Sequence, residues 1–150
     1  MLDPQEISDR LEIAEVLTRY CTAIDSKDFD LLDDVFTEDS TIDYSSSVPG
    51  VLGSLAEMKA WLSDVLGEFT MTQHLVSNIS YEIQGDRAMT RTMFFYPMKW
   101  QDDTGKLQTF FVGGYYEDEL IKTVNGWRIR LRVEQQRWST GPRPASLVKG

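Results

Sequence analysis

The chain has 150 residues, 41% hydrophobic and 11% aromatic, enough for one domain with a bulky core. Its formal net charge of −9 argues against a nucleic-acid partner or an anionic membrane surface, both of which call for clustered Lys and Arg. A lone cysteine, Cys21, excludes an internal disulfide, and one histidine beside it leaves little with which to build a dedicated metal site.

Met1-Leu2-Asp3-Pro4 opens nothing like a signal peptide, and no stretch is apolar enough to span a bilayer, so a cytoplasmic protein is expected. Asp3 followed by Pro4 marks a helix start. Ile7, Leu11, Ala14, Leu17, Cys21 and Ile24 then recur at helical spacing, with Tyr20 beside the stripe. Ser26-Lys27-Asp28 breaks this helix, and a short second one is expected over residues 29–36, turning Leu32 and Val35 inward. Thr41-Ile42-Asp43-Tyr44 alternates as a strand does. Residues 45–53, rich in Ser, Pro and Gly, read as a pocket rim or a plain connector. Ser54-Leu55-Ala56-Glu57 is a capping-box signature, opening a third helix that buries Leu55, Met58, Leu62, Val65 and Phe69, with Trp61 close to the stripe.

From Met71 the period changes to two, predicting four long strands over residues 71–83, 87–100, 107–121 and 127–138. Asn125-Gly126 between the last two is a strong hairpin signal. In the first of these strands, alternation groups His74, Val76 and Asn78 on one face. Phe94, Tyr96, Met98 and Trp100, then Phe110, Val112 and Tyr116, supply more rings than a flat sheet needs to bury. A strongly curved sheet wrapped around an apolar hollow would use them, and so would a plain core. The expected class is α+β: three N-terminal helices on a strongly curved, mostly antiparallel sheet, forming a cone-shaped α+β barrel. One domain spans residues 1–138, and residues 139–150 form a C-terminal tail.

His74 is the chain's only histidine, and Asp25 closes the first predicted helix. Imidazole exchanges protons near neutrality, and a carboxylate against one ring nitrogen fixes the tautomer and stabilises the imidazolium. If folding joins the two, they make a minimal kit for abstracting a proton. A lone histidine at a strand end is also commonly just a packed residue, and the residues alone leave both readings open.

Several segments together resemble the SnoaL-like members of the nuclear-transport-factor-2-like superfamily. They are Ile13-Ala14-Glu15-Val16-Leu17-Thr18-Arg19-Tyr20, Ala23-Ile24-Asp25, Asp28-Phe29-Asp30-Leu31-Leu32, Val35-Phe36-Thr37-Glu38-Asp39-Ser40 and Asn125-Gly126-Trp127-Arg128-Ile129. Within that superfamily the chain looks most like the group of scytalone dehydratase, bile-acid 7α-dehydratase and γ-hexachlorocyclohexane dehydrochlorinase. The resemblance implies an Asp–His dyad, matched by Asp25 and His74, and a pocket tyrosine, matched by Tyr20. It also implies a cone-shaped pocket for a small hydrophobic molecule, with no metal and no organic cofactor. Tyr44, Trp61, Phe69, Tyr116 and Arg132 are expected in the substrate-binding wall. Two departures stand out: the second pocket histidine of scytalone dehydratase is missing, and the last-strand arginine falls on Arg132 for the dehydrochlorinase and on Gln136 for the bile-acid enzyme, unless a bulge shifts Arg137 in. The catalytic aspartate of the more distant ketosteroid isomerase falls on Tyr44, which disfavours that mechanism. The resulting expectation is a cofactor-independent, dehydratase-like lyase acting on a polycyclic or polyketide-like substrate. The alternatives are an isomerase or cyclase using the same dyad, and a non-enzymatic module binding a hydrophobic ligand. A homo-oligomer, trimer or dimer, is expected, with neither nucleic acid nor membrane as partner.

Overall fold

The computed structural model describes residues 1–148; Lys149 and Gly150, the last residues of the expected tail, lie outside the described residues. Helix α1 (Pro4–Ser26) starts where Asp3 Oδ1 accepts the Glu6 N–H at 2.8 Å and Pro4 occupies the first turn. It stops at Lys27, whose left-handed backbone (φ 56) returns its N–H to the carbonyls of Ala23 and Ile24. The buried face carries Ile13, Val16, Leu17, Tyr20, Ala23 and Ile24, whereas Ile7 and Leu11 are exposed. The expected stripe therefore fails over the first two turns. There the inward residue is Asp9, which accepts hydrogen bonds from Trp127 Nε1 (2.9 Å) and Lys122 Nζ (2.7 Å).

The second helical segment, Phe29–Asp34, is a single 3₁₀ stretch that buries Leu32, with Val35 buried just after it. Strand β1 (Phe36–Asp43) and the short β2 (Leu52–Ser54) follow. The expected capping box is present: Ser54 and Glu57 exchange hydrogen bonds at the start of α2 (Leu55–Val65). This helix gives way to a 3₁₀ turn over Leu66–Glu68 before Phe69, so it ends earlier than its apolar stripe suggests.

The rest is strand: β3 (Phe69–Thr72), β4 (Leu75–Gln84), β5 (Arg87–Gln101), β6 (Leu107–Thr123) and β7 (Gly126–Thr140). They form one seven-stranded sheet in the order β2-β1-β7-β6-β5-β3, with β4 also paired to β5. Among the described residues the pairings are antiparallel except β1 with β7, which run parallel. Three helical segments pack on this strongly curved mixed sheet to make a half-barrel, as the sequence predicts. The core fills its concave side, with Phe94, Phe110, Tyr116, Leu120 and Trp127 all but completely buried. The hairpin before β7 turns on Val124 and Asn125, and Gly126 at φ 95 supplies the left-handed backbone that begins β7.

Bulges decide which residues face inward. Asn78 sits at φ 52, where an asparagine is tolerated, at a register shift between Ser77 and Ser80. Beyond it Ile79, Tyr81 and Ile83 pack on the core, so the uniform alternation expected for this strand breaks. In β7 a register shift opposite Glu119–Leu120 lets Arg130 bulge. Before it Trp127 and Ile129 point inward; after it Arg132 and Glu134 do. A second shift opposite Gly113–Gly114 bulges Arg137. After β7 the chain folds back: Pro142 O accepts the Trp100 indole N–H at 2.9 Å, and Ser146 Oγ donates to Glu68 at 2.8 Å.

Candidate active site

The expected strand over residues 71–83 is two strands, broken at Gln73–His74, and the break makes the site. Pro97 of β5 has no N–H to offer there; it only accepts, from the Gln73 N–H at 3.2 Å. The His74 N–H turns away from the sheet and donates to Asp25 Oδ2 at 2.7 Å. The ring follows, with Nδ1 2.7 Å from Asp25 Oδ1, and Thr72 Oγ1 donates to the same oxygen at 2.9 Å. Lys27, just past α1, ties the helix end to this edge by donating to Phe69 O at 2.7 Å.

Three donors thus converge on one carboxylate. Burial raises the Asp25 pKa, but the hydrogen bonds and charge interaction with His74, helped by Thr72, outweigh it and hold the value below the ordinary one. An ionised carboxylate only accepts, so a proton on Nδ1 points at Asp25, and Nε2 is the ring nitrogen left to exchange a proton with a substrate. The His74 side chain is 5% exposed and that of Asp25 26%. The imidazole stacks on Tyr96 (centroids 4.4 Å apart, 30°) and meets Tyr20 edge-on at 6.3 Å.

His74 lines a cavity with about 70 Å³ of free space. Its floor and sides are apolar, from Ile24, Trp61, Leu62, Val65, Phe69, Met98, Phe110 and Val112. Tyr20, Tyr44, Tyr96 and Tyr116 also line it, and Ser47 and Val48 of the loop after β1 complete one rim. Tyr20 and Tyr44 share a hydrogen bond of 2.7 Å. Among the described residues the buried Tyr116 hydroxyl meets no group within hydrogen-bonding geometry. Burial drives the Tyr20, Tyr44 and Tyr116 phenols above their ordinary pKa, so each remains a neutral donor.

Of the residues singled out from sequence, Asp25 and His74 are in contact, and Tyr20, Tyr44, Trp61, Phe69 and Tyr116 line the cavity with His74. Arg132 does not line it. Its guanidinium, 0% exposed, is held by Asp118 in two bonds of 2.8 Å and lies 4.2 Å from the Tyr20 ring centre and 4.1 Å from that of Tyr116. It stands behind the two phenols and acts on them through charge and stacking. Gln136, the alternative arginine position, does line the cavity.

Glu134 is the residue that sequence reasoning missed. It is 5% exposed and lines the cavity, where Ser47 Oγ and Tyr96 OH donate to its two oxygens, the latter at 3.5 Å. Ser46 Oγ donates to Glu134 O at 2.7 Å and accepts the Gln136 N–H at 2.9 Å, fastening the loop to β7. Arg143 donates to Ser47 O at 3.2 Å and to Gln136 Oε1 at 2.9 Å, bringing Leu147 against the same cavity. Among the described residues, no three His, Cys, Asp or Glu side chains cluster as a metal site.

Residues 5–133 match the SnoaL-like domain family. The uncharacterized protein Rv2910c of Mycobacterium tuberculosis is 45% identical over 134 residues, covering 89% of each chain. Among solved structures, the Kfla4162 protein of Kribbella flavida is 28% identical, with a TM-score of 0.82 over 90% of this chain and 95% of its own. Hexachlorocyclohexane dehydrochlorinase LinA-type3 of Novosphingobium barchaimii shares the fold at 12% identity, with a TM-score of 0.76 over 91% and 92%.

Proposed function

The chain belongs to the SnoaL-like domain family, within the nuclear-transport-factor-2-like superfamily, and from that premise we propose a lyase that works without a cofactor by removing a proton from carbon. The observation that carries this reading is the Asp25 carboxylate holding the His74 ring through Nδ1 at the wall of an apolar cavity. His74 Nε2 takes a proton from carbon beside a carbonyl, and Asp25 stabilises the imidazolium that forms. Tyr20 and Tyr116 supply hydroxyls for the oxygen on which negative charge develops, with Arg132 behind both rings favouring that charge. A carbonyl there would give the Tyr116 hydroxyl a hydrogen-bond partner, which it does not have among the described residues. The dehydrochlorinase that shares the fold carries out an elimination by name, which suits the same class of reaction.

Deuterium wash-in tests the base directly. Butanone, cyclohexanone and 2-tetralone incubated with the protein in D₂O should gain deuterium beside the carbonyl, read by NMR, faster than in buffer. His74→Ala should lower the catalysed rate by about a hundred- to ten-thousand-fold. Wild-type rates no higher than those of His74→Ala across all three ketones would exclude the base.

We also propose a homo-oligomer. On the convex face of the sheet Phe95 stacks on Phe111 and on Trp138, each pair 5.9 Å apart, with Met93 exposed on the same strand and Leu75 exposed on the adjoining β4. A second copy covering this face would bury it.

A further inference from the structure

Among the described residues lining the cavity, the proposed base leaves the one carboxyl, that of Glu134, unused. Glu134 sits at the hydroxyl end of Tyr96, and the His74 imidazole stacks on the Tyr96 ring. The two groups are thus held apart by a single tyrosine while lining one cavity. Among the described residues no Lys or Arg forms an ion pair with Glu134: Arg132 is engaged by Asp118, and Arg143 by Gln136 and Ser47 O. The groups that meet the Glu134 oxygens are hydroxyls, from Ser47 and Tyr96, and a hydroxyl can accept a proton bond as well as donate one.

We propose that Glu134 is the acid that protonates a departing hydroxyl while His74 removes the proton from the neighbouring carbon, so that the substrate is a β-hydroxy carbonyl compound. This rests on the lyase reading above. A buried carboxylate whose oxygens meet only hydroxyls is costly to ionise. Burial accordingly pushes the Glu134 carboxyl up to about 7, against the pull of Ser47, Arg132, Tyr96 and Arg143. The phenols of Tyr20, Tyr44 and Tyr116 also face it and stay neutral in that range. The cavity therefore presents an imidazole and a carboxyl that holds its proton to about pH 7 on either side of Tyr96, the arrangement an elimination needs. The step balances. The C–H proton goes to His74 Nε2, and its electron pair becomes the new C=C bond. The C–O bond breaks, and the leaving oxygen takes the Glu134 proton and departs as water. Solvent then carries the proton from the imidazolium back to the Glu134 carboxylate.

Leaving-group dependence separates the acid from the base. The probes are 4-hydroxybutan-2-one and 4-chlorobutan-2-one, which both yield but-3-en-2-one, although only the hydroxy compound needs an acid to release its leaving group. The wild type should accelerate both, and His74→Ala should lose both. Glu134→Gln should lower the hydroxy-to-chloro rate ratio by about a hundredfold; an unchanged ratio overturns the acid. If the wild type accelerates neither probe, the elimination reading falls and takes the acid with it. Independently of turnover, one carbon-13-labelled glutamate carboxyl should titrate near pH 7 and vanish in Glu134→Gln. Glutamates that all titrate in the ordinary carboxylate range overturn the proposal whatever the probes do.

Discussion

Asp25 and Glu134 differ by what meets their oxygens, and their effects on stability run in opposite directions with pH. For Asp25, ionised and triply hydrogen-bonded, the folded pKa is below the unfolded one. Its stabilising contribution is complete above the ordinary carboxylate value and is lost as pH falls through the folded value. Glu134 is the reverse. Between the ordinary glutamate value of 4.5 and about 7 the folded state keeps a proton that the unfolded state releases, so stability declines as pH rises through that window. Glu134→Gln, which imitates the protonated form, should therefore raise the unfolding midpoint at pH 8 and change it little at pH 5. The gain at pH 8 is on the order of 3 kcal/mol, or about 6–12 °C for a chain of this size. Calorimetry showing the same shift at both pH values would contradict a buried neutral Glu134. The Asp25–His74 contact was anticipated through the family resemblance, because a unique histidine and an aspartate at a helix end left a merely packed ring equally open. Glu134 was not, since in Arg130-Leu131-Arg132-Val133-Glu134 the alternation assigns the apolar residues to the core.

That misreading belongs to the elements. Straight alternation from Trp127 and Ile129 sends Leu131 and Val133 inward; one bulged residue, Arg130, reverses the assignment and turns Arg132 and Glu134 into the barrel. Bulges leave no reliable mark in composition, so the strands could be read and their inward faces could not. Asn78 does the same in β4, and at Gln73–His74 a side chain on another element interrupts the edge strand. Glycine marks one such place visibly. A Cβ on Gly114 would lie 2.1 Å from Gln135 O and 2.9 Å from the Phe94 ring, beside the second β7 bulge. Gly114→Ala should thus destabilise the protein by about 1–3 kcal/mol, and by more if the bulge cannot relax. Denaturant titration checks this, and a wild-type midpoint would show that the two strands do not approach so closely.

At the scale of the molecule, the half-barrel has two apolar faces. The concave one is filled by the helices and the cavity, while the convex one carries Phe95 and Trp138, exposed among the described residues, beside the half-buried Phe111. Trp138 lies across Gly113, whose missing side chain gives the indole its seat. If a second copy covers this face, Trp138→Glu should shift the sedimentation profile from oligomer to monomer without altering deuterium wash-in by more than about threefold, since surface changes act locally. A wild type that sediments as a monomer at high concentration would remove the oligomer. The cavity, for its part, draws walls from almost the whole length of the polypeptide: Tyr20 early, His74 midway, Glu134, Arg143 and Leu147 late. A nascent chain on the ribosome can close the opening helix and the first hairpins long before it owns an enclosed hollow. Proton transfer at carbon would then be the last capacity acquired during synthesis, making turnover a stringent reporter that translation ran to the C-terminal segment and that this segment seated.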